Sequence, residues 1–278
     1  FVGSNLFERF RKSEEKYDVY GISTKTSDTT RNIADIRDFG IKNLLSDINP
    51  DILIHSAKFR GGVDYYENHR EEASRIEIDG TRNLAEWAKE KDKKFVLLST
   101  DYVYEGKINN YNEESETKPV NFYGEMKLKT EEIVKSSLDN YVILRPTVIF
   151  GYVPGDTNFL MQILGAKDKK KIPLDQISNP IDINVLMDYT ERLIERNARG
   201  IFVATGRDKI NRYEFTMQIA DVFNLDKSLF EPVRTTELGQ IAKRPLNNGT
   251  DSSKIMKYLN YKCPLIYESL EKIKRSLE

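Results

Sequence analysis

The sequence predicts an α/β fold: a doubly wound parallel sheet with a smaller α/β lobe beside it. Three observations predict it. The runs "ILIHSA" (52–57), "KFVLLST" (94–100) and "YVILRP" (141–146) are continuously apolar rather than alternating, as in strands covered on both faces. Stretches with helical periodicity separate them. The chain has 278 residues, 39% of them hydrophobic and 31% charged, enough for one large α/β domain or for a sheet domain with a small lobe.

In chain order, "YDVYGIS" (17–23) reads as a short strand. "FGIKNLLSDI" (39–48) has apolar residues at helical spacing, with Asp38 as its N-cap. Pro50 closes it, because proline disfavours helical backbone in the residue before it. "ILIHSA" is the next strand. One long helix is expected over 71–91, where Ala73, Ile76, Gly80, Leu84 and Ala88 recur every three or four residues. A glycine there weakens a helix by roughly 1 kcal/mol, so Gly80 points to close packing on a sheet. A strand over 95–99, a helix near 120–138 and a strand over 141–146 follow. After Gly151 the texture changes. "GYVPGDTNF" is loop-like, "NVLMDYTERLIERNARG" (184–200) is an amphipathic helix stopped by Gly200, "IFVAT" (201–205) is a strand and "RYEFTMQIADVF" (212–223) is a helix. Proline-marked loops come at Pro232, Pro245 and Pro264. Residues 1–150 are expected to form the sheet domain, and 151–278 mainly the smaller lobe, partly interleaved with it.

Composition excludes several classes. A formal net charge of -1 exerts no long-range pull on nucleic acid or an anionic membrane. The lysine clusters "KDKK" (91–94) and "KDKKK" (167–171) read as solvated faces. No apolar run approaches the roughly 20 residues that span a bilayer, and the start lacks the basic and apolar regions of a signal peptide. One cysteine, Cys263, rules out an internal disulfide and any cysteine-rich metal site, and two histidines argue against a multi-histidine metal centre. A cytoplasmic protein without metal, nucleic acid or membrane is the expectation.

The chemistry concentrates at "STDYVYEG" (99–106) and "NFYGEMK" (121–127). In parallel sheets ligands bind at the carboxyl ends of the strands, which is where Ser99, Thr100 and Asp101 sit. Tyr123 and Lys127, four residues apart, share one helix face. A phenol titrates near pH 10 and needs a neighbouring cation before it serves as an acid–base group at neutral pH. A lone Tyr-x-x-x-Lys is weak evidence; its place after a strand ending in Ser-Thr strengthens it.

With these motifs the chain resembles the extended short-chain dehydrogenase/reductases, which are Rossmann-like, and most of all their dTDP-4-dehydrorhamnose reductase branch. The resemblance runs nearly the whole length: "INPDILIHSA", "GTRNLAEWA", "STDYVYEG…FYGEMK", "LRPTVIFG", "DQISNP", "GIFVATG", "RYEFTMQIA" and "KRP…DSSK" come in the family's order. "FVGSNL" resembles the end of the family's glycine-rich loop, with Gly3 as its third glycine; the strand and two glycines before it are not in the sequence. The resemblance implies an NADP-binding domain over 1–150 and a substrate lobe over 151–278. It implies Tyr123 as general acid toward a carbonyl oxygen, Lys127 as the group that lowers its pKa and holds the nicotinamide ribose, and Thr100 as a hydrogen-bond partner of the same oxygen. Cofactor contacts are implied for Phe1, Val2, Gly3, Ser23, Thr24, Lys25, Asp35, Ile36, Ser56, Ala57, Lys58, Ser99, Tyr123, Lys127 and Pro146. Substrate contacts are implied for Thr100, Asp101, Tyr102, Asn158, Phe159 and Gln176. The resemblance leaves room for a homodimer.

Two positions depart from the family pattern. Glu77 in "IEIDGT" stands where relatives often carry Asn, and Lys58 in "HSAKF" stands where they carry small residues. The two could pair. The expected activity is NADPH-dependent reduction of a nucleotide-linked 4-keto-6-deoxy sugar, dTDP-4-dehydrorhamnose to dTDP-L-rhamnose being the reaction chosen. The loop "GISTKT" (21–26) offers Ser23, Thr24 and Lys25 to a 2′-phosphate and no acid to ribose hydroxyls, which suits NADPH and leaves NADH open. It could also be an ordinary polar loop. Two alternatives stand. A nucleotide-sugar epimerase or dehydratase is weakened because Tyr102 follows Thr100-Asp101 where eliminating enzymes carry a second carboxyl. The other is a non-enzymatic NADP-binding regulatory subunit, resembling that of methionine adenosyltransferase.

Overall fold

In the computed structural model the described residues are 1–26 and 32–278. The elements run α1 (Val2–Arg11), β1 (Ile22–Ser23), β2 (Asn32–Ile33), α2 (Ile41–Ile48), β3 (Ile52–His55), α3 (Val63–Asn68), α4 (Arg70–Ser74), α5 (Gly80–Glu90), β4 (Lys94–Leu98), α6 (Phe122–Ser137), β5 (Tyr141–Arg145) and β6 (Ile149–Phe150). The second half adds α7 (Phe159–Leu164), β7 (Lys170–Pro173), β8 (Ile177–Ser178), β9 (Ile181–Asp182), α8 (Ile183–Glu195), β10 (Gly200–Val203), β11 (Ile210–Asn211), α9 (Arg212–Phe223), β12 (Phe230–Val233), α10 (Ser253–Leu259) and α11 (Ile266–Arg275).

The central sheet is parallel, in the order β10-β5-β4-β3, and β1 pairs with β2 in a separate parallel pair. This is the α/β architecture that the apolar runs predicted. β4 is buried along its whole length. One apolar cluster lies on the α1, α8 and α10 face of the sheet, with Leu6, Phe10, Leu186, Tyr189 and Ile255 against Val96 and Val142. A second lies on the α2 and α5 face, with Leu45, Leu84 and Trp87 against Phe95, Leu97 and Ile143. A third, built from Phe150, Leu160, Phe215, Ile219 and Leu270, belongs to the later part of the chain. Among the described residues no helix is long and apolar enough to cross a membrane.

Several boundaries differ from expectation, each for a local reason. The first strand covers only Ile22–Ser23, because its partner among the described residues is the two-residue β2. Asp38 does not cap α2; Gly40 occupies the N-cap without a side-chain bond, and the Asp38 carbonyl accepts from Ile41 N. The long helix expected over 71–91 is continuous from Arg70 to Glu90, but its turn at Arg75–Asp79 is wound to π geometry between α4 and α5, and His69 separates it from the preceding α3. Gly200 does not stop α8. The helix ends at Glu195, Asn197 turns the chain with φ 47°, and Gly200, at φ 97°, opens β10. Lys94, read as part of a solvated cluster, is 5% exposed, and its ammonium donates to Asn140 Oδ1, Asn197 Oδ1 and the Ala198 carbonyl.

Two glycines let elements approach one another. A Cβ on Gly80 would meet the Ile36 side chain at 2.5 Å, so α5 rides against the chain after β2. A Cβ on Gly124 would meet the Tyr102 carbonyl oxygen at 2.3 Å and Pro119 Cβ at 2.9 Å, so α6 begins flush against the turn after β4. Crowding of this kind costs about 1–3 kcal/mol. Gly124→Ala is expected to lower stability by that order in a urea melt, and wild-type stability in the variant would show that α6 is not held at this distance.

Candidate active site

The turn after β4 is the centre of the site. Thr100 caps the short 3₁₀ turn Asp101–Val103: its Oγ1 accepts from Tyr102 N at 3.2 Å and donates to Asp101 Oδ1 at 3.2 Å. The other carboxylate oxygen of Asp101 accepts from Thr147 Oγ1 at 3.0 Å and Asn248 Nδ2 at 2.9 Å. Asp101 is 2% exposed. Burial pushes its pKa up to about 6, against the pull of those hydrogen bonds. Ser99 faces elsewhere. Its hydroxyl donates to Glu131 Oε1 at 2.5 Å, and Glu131 forms a two-point pair with Arg145 at 2.9 and 2.6 Å.

Helix α6 delivers Tyr123 and Lys127 to this turn. Asn121 starts the helix by accepting from Gly124 N at 2.9 Å, and its amide donates to the Lys243 carbonyl at 2.8 Å. Tyr123 lies edge-on to Tyr66 at 5.0 Å and to Tyr102 at 5.7 Å. Burial raises the Tyr123 pKa well above that of an ordinary phenol; the Thr100 side chain opposes the rise and the Glu77 charge adds to it.

Lys127 is 3% exposed, and its ammonium lies 3.0 Å from Glu77 Oε2. Glu77, 1% exposed, projects from the π-helical turn. Its Oε1 accepts from Phe59 N at 2.9 Å and from the Tyr66 hydroxyl at 2.5 Å. Burial raises the Glu77 pKa, but Lys127 and these donors outweigh it, and the net shift is downward. The pairing of Glu77 with Lys58 is therefore corrected: Glu77 takes Lys127. Lys58 sits on the exposed chain after β3 and donates to the carbonyls of Phe59 at 3.1 Å and Gly61 at 3.0 Å.

The other expected cofactor residues lie at the start of α1, at and after the end of β1, after β2, and beyond the ends of β3 and β5. α1 begins at Val2 with no side-chain cap on Phe1, so its first amides lack helical partners. A Cβ on Gly3 would meet Ser56 Oγ at 2.7 Å, a close approach of helix to strand end. Such a bare helix start beside glycine suits a pyrophosphate, so the residues present fit a dinucleotide. Ala57 is exposed beyond β3, and Pro146 is buried beyond β5 with its carbonyl accepting from Asp101 N at 2.9 Å. Ser23 Oγ accepts from Lys25 N at 3.2 Å, with Thr24 exposed between them. Asp35 is held by Arg37 at 2.5 Å, and Ile36 packs on Gly80.

The lobe residues divide. Phe159 stacks on Phe215 at 5.4 Å and lies under the Arg212 guanidinium at 5.0 Å. Arg212 acts electrostatically on Asp101 and Tyr102, which links Phe159 to the catalytic turn. Asn158 caps α7 through Met161 N and donates to the Gly151 carbonyl at 3.0 Å. Gln176, 8% exposed, spends its amide on Thr235 Oγ1 and Gln240 Oε1 at 3.0 and 3.1 Å. The sequence reading missed Tyr66, Thr147, Arg212 and Asn248. None lies in a quoted catalytic motif, and the contacts that make them matter span 11 to 147 residues.

His55, at the end of β3, shows how dry the site is. It is 3% exposed and bonded to Thr81 Oγ1 at 3.0 Å. Burial, aided by the Lys127 charge, lowers its pKa from 6.5 to about 4. Between those two values the unfolded chain binds a proton that the folded chain refuses, so this contribution to stability is lost as pH falls from 6.5 toward 4. In urea melts across this range, wild type is expected to lose stability more steeply than His55→Gln. Parallel pH profiles would refute the assignment.

The comparisons with known proteins agree with this geometry. The family described as the RmlD substrate binding domain matches residues 1–277. A methionine adenosyltransferase 2 subunit beta of Xenopus tropicalis is 31% identical over 227 residues, covering 78% of this chain and 67% of that protein. A dTDP-4-dehydrorhamnose reductase of Sinorhizobium fredii is 27% identical over 245 residues, covering 84% and 82%. The crystal structure of dTDP-4-dehydrorhamnose reductase from Bacillus anthracis in complex with NADP superposes with a TM-score of 0.88 at 25% identity, covering 99% of this chain and 96% of that one. With its parallel central sheet and a family match over nearly its whole length, the chain belongs to the RmlD substrate binding domain family.

Proposed function

We propose that this chain is an NADPH-consuming ketoreductase acting on a nucleotide-linked 4-keto-6-deoxy sugar, with conversion of dTDP-4-dehydrorhamnose to dTDP-L-rhamnose as its reaction. The observation that carries the reading is the placement of Tyr123, at the start of α6, edge-on to Tyr102 in the Thr100-capped turn that follows β4. The family match and the reductase relatives, one of them holding NADP, support it.

The start of α1 with Gly3 would hold the pyrophosphate, and Ser23, Thr24 and Lys25 the 2′-phosphate. Asp35, Ile36 and the strand-end residues Ser56, Ala57, Lys58 and Pro146 would frame the rest. The reduced nicotinamide supplies a hydride when bound. The protein's part is the oxygen. Thr100 and Tyr123 present two hydroxyls to a substrate carbonyl, and Tyr123 gives its proton as negative charge develops there. Elimination would require a second carboxyl, and the one carboxyl in this turn, Asp101, has both oxygens engaged by Thr100, Thr147 and Asn248.

A second reading, an NADP-binding regulatory subunit, is favoured by the adenosyltransferase beta-subunit relatives and by the engagement of Lys127 with Glu77. Mixing the protein with NADPH and dTDP-4-keto-6-deoxy sugar separates the two. Loss of reduced nicotinamide is expected; tight NADPH binding without turnover would select the regulatory subunit. Tyr123→Phe is expected to lower turnover by about 100-fold or more with NADPH affinity nearly intact, and near-normal turnover would remove Tyr123 as the acid. NADPH is expected to bind more tightly than NADH, with Lys25→Glu narrowing the gap. A wild-type preference for NADH of about tenfold, or 1.4 kcal/mol, would show that the loop over 21–26 does not read a 2′-phosphate.

A further inference from the structure

We propose that Glu77 is a positioning residue that takes the Lys127 ammonium for itself, so that Tyr123 works as a proton donor and not as a phenolate made by the lysine. The inference rests on the reductase reading for its catalytic meaning and on this chain's own geometry for its substance. Glu77 is fixed before Lys127 reaches it: Phe59 N and the Tyr66 hydroxyl hold one carboxylate oxygen at 2.9 and 2.5 Å. The second oxygen lies 3.0 Å from the ammonium. Both side chains are almost wholly buried, so little solvent screens the pair. A neutral amide at this position would bring no charge, and the lysine field would then act on the phenol beside it.

The ionisable groups around the pair come from β3, the chain after it, α3 and the turn after β4. His55, from β3, stays neutral, its pKa lowered to about 4 by burial. Lys58, from the chain after β3, gives its ammonium to two carbonyls. Tyr66, from α3, donates to Glu77, and burial raises its pKa far above an ordinary phenol. Asp101 and Tyr102, from the turn after β4, both act on Tyr123 in the raising direction, as Glu77 does. Lys127 is the cation of the Glu77 pair, and Glu77, its ionised partner, acts on Tyr123 in the raising direction.

The test is an alkaline ultraviolet titration of the phenols in the cofactor-free protein. Wild type, Glu77→Gln and Glu77→Asn are each measured beside the same protein carrying Tyr123→Phe, so that the difference isolates Tyr123. Both Glu77 variants are expected to lower the Tyr123 midpoint by about one pH unit or more, giving about tenfold more phenolate at a given pH. Adding Lys127→Met to either variant is expected to reverse the fall, whereas Lys127→Met alone leaves the midpoint no lower than wild type. In turnover, the alkaline limb of reduction is expected to move to lower pH in the Glu77 variants. An unchanged midpoint in folded Glu77→Gln or Glu77→Asn would overturn the proposal. So would an effect of Lys127→Met on the midpoint that is equal with and without Glu77, a comparison that needs only one of the two Glu77 variants to fold. Absence of turnover in wild type would instead refute the reductase reading and leave the titration to decide the role of Glu77.

Discussion

The buried Glu77–Lys127 pair is the constraint around which the site is arranged. Taking two charges out of water is costly, and removing one partner of such a pair costs about 3–5 kcal/mol. The pair is held here by groups that converge from several elements, with two donors on one carboxylate oxygen and the ammonium beside the other. Phe59 N comes from the chain after β3, the Tyr66 hydroxyl from α3, and Lys127 from α6. The π-helical turn before α5 is what carries Glu77 to this point. Tyr66, locked by its bond to Glu77, in turn presents its ring to Tyr123. One carboxylate thus fixes the lysine directly and packs the tyrosine through its neighbour.

A second buried network does the same for the strand ends on the other side of α6. Glu131 receives the Ser99 hydroxyl and both arms of Arg145, and Arg145 also donates to the Tyr104 hydroxyl at 2.9 Å. This fastens the ends of β4 and β5 to the middle of α6. It also explains why adjacent hydroxyls have different fates. Ser99 is spent in the network, while Thr100, one residue on, caps the turn through Tyr102 N and Asp101 Oδ1.

The fold was legible because burial on both faces of a parallel sheet leaves continuous apolar runs in the chain. That Tyr123 and Lys127 share one helix was legible because their spacing is local, one turn apart on α6. What stayed hidden depended on distance or on small energetic differences. The helical period over 71–91 does not distinguish an unbroken helix from one with a turn wound to π geometry, since both keep apolar residues on one face. The partner of Glu77 could not be read, because Lys58 and Lys127 offer the same charge and only the fold says which arrives. Lys94 looked solvated by composition, yet the Asn140, Asn197 and Ala198 acceptors that bury it come from two other connections.

The two best-supported readings use the same residues, so composition of the site does not separate them. Both need a dinucleotide at the sheet's carboxyl end, and the bare start of α1 with Gly3 against Ser56 suits both. They differ in what is asked of Tyr123. A binding protein asks only that the ring pack, which Tyr66 and Tyr102 already ensure. A reductase asks for a hydroxyl that keeps its proton until a carbonyl oxygen acquires charge. Burial, which raises the pKa of Tyr123, suits the holding of that proton. The pairing of Lys127 with Glu77 is compatible with a tyrosine that begins as an acid, and it is equally compatible with a ring that only packs, so it is turnover and not the composition of the site that separates the two.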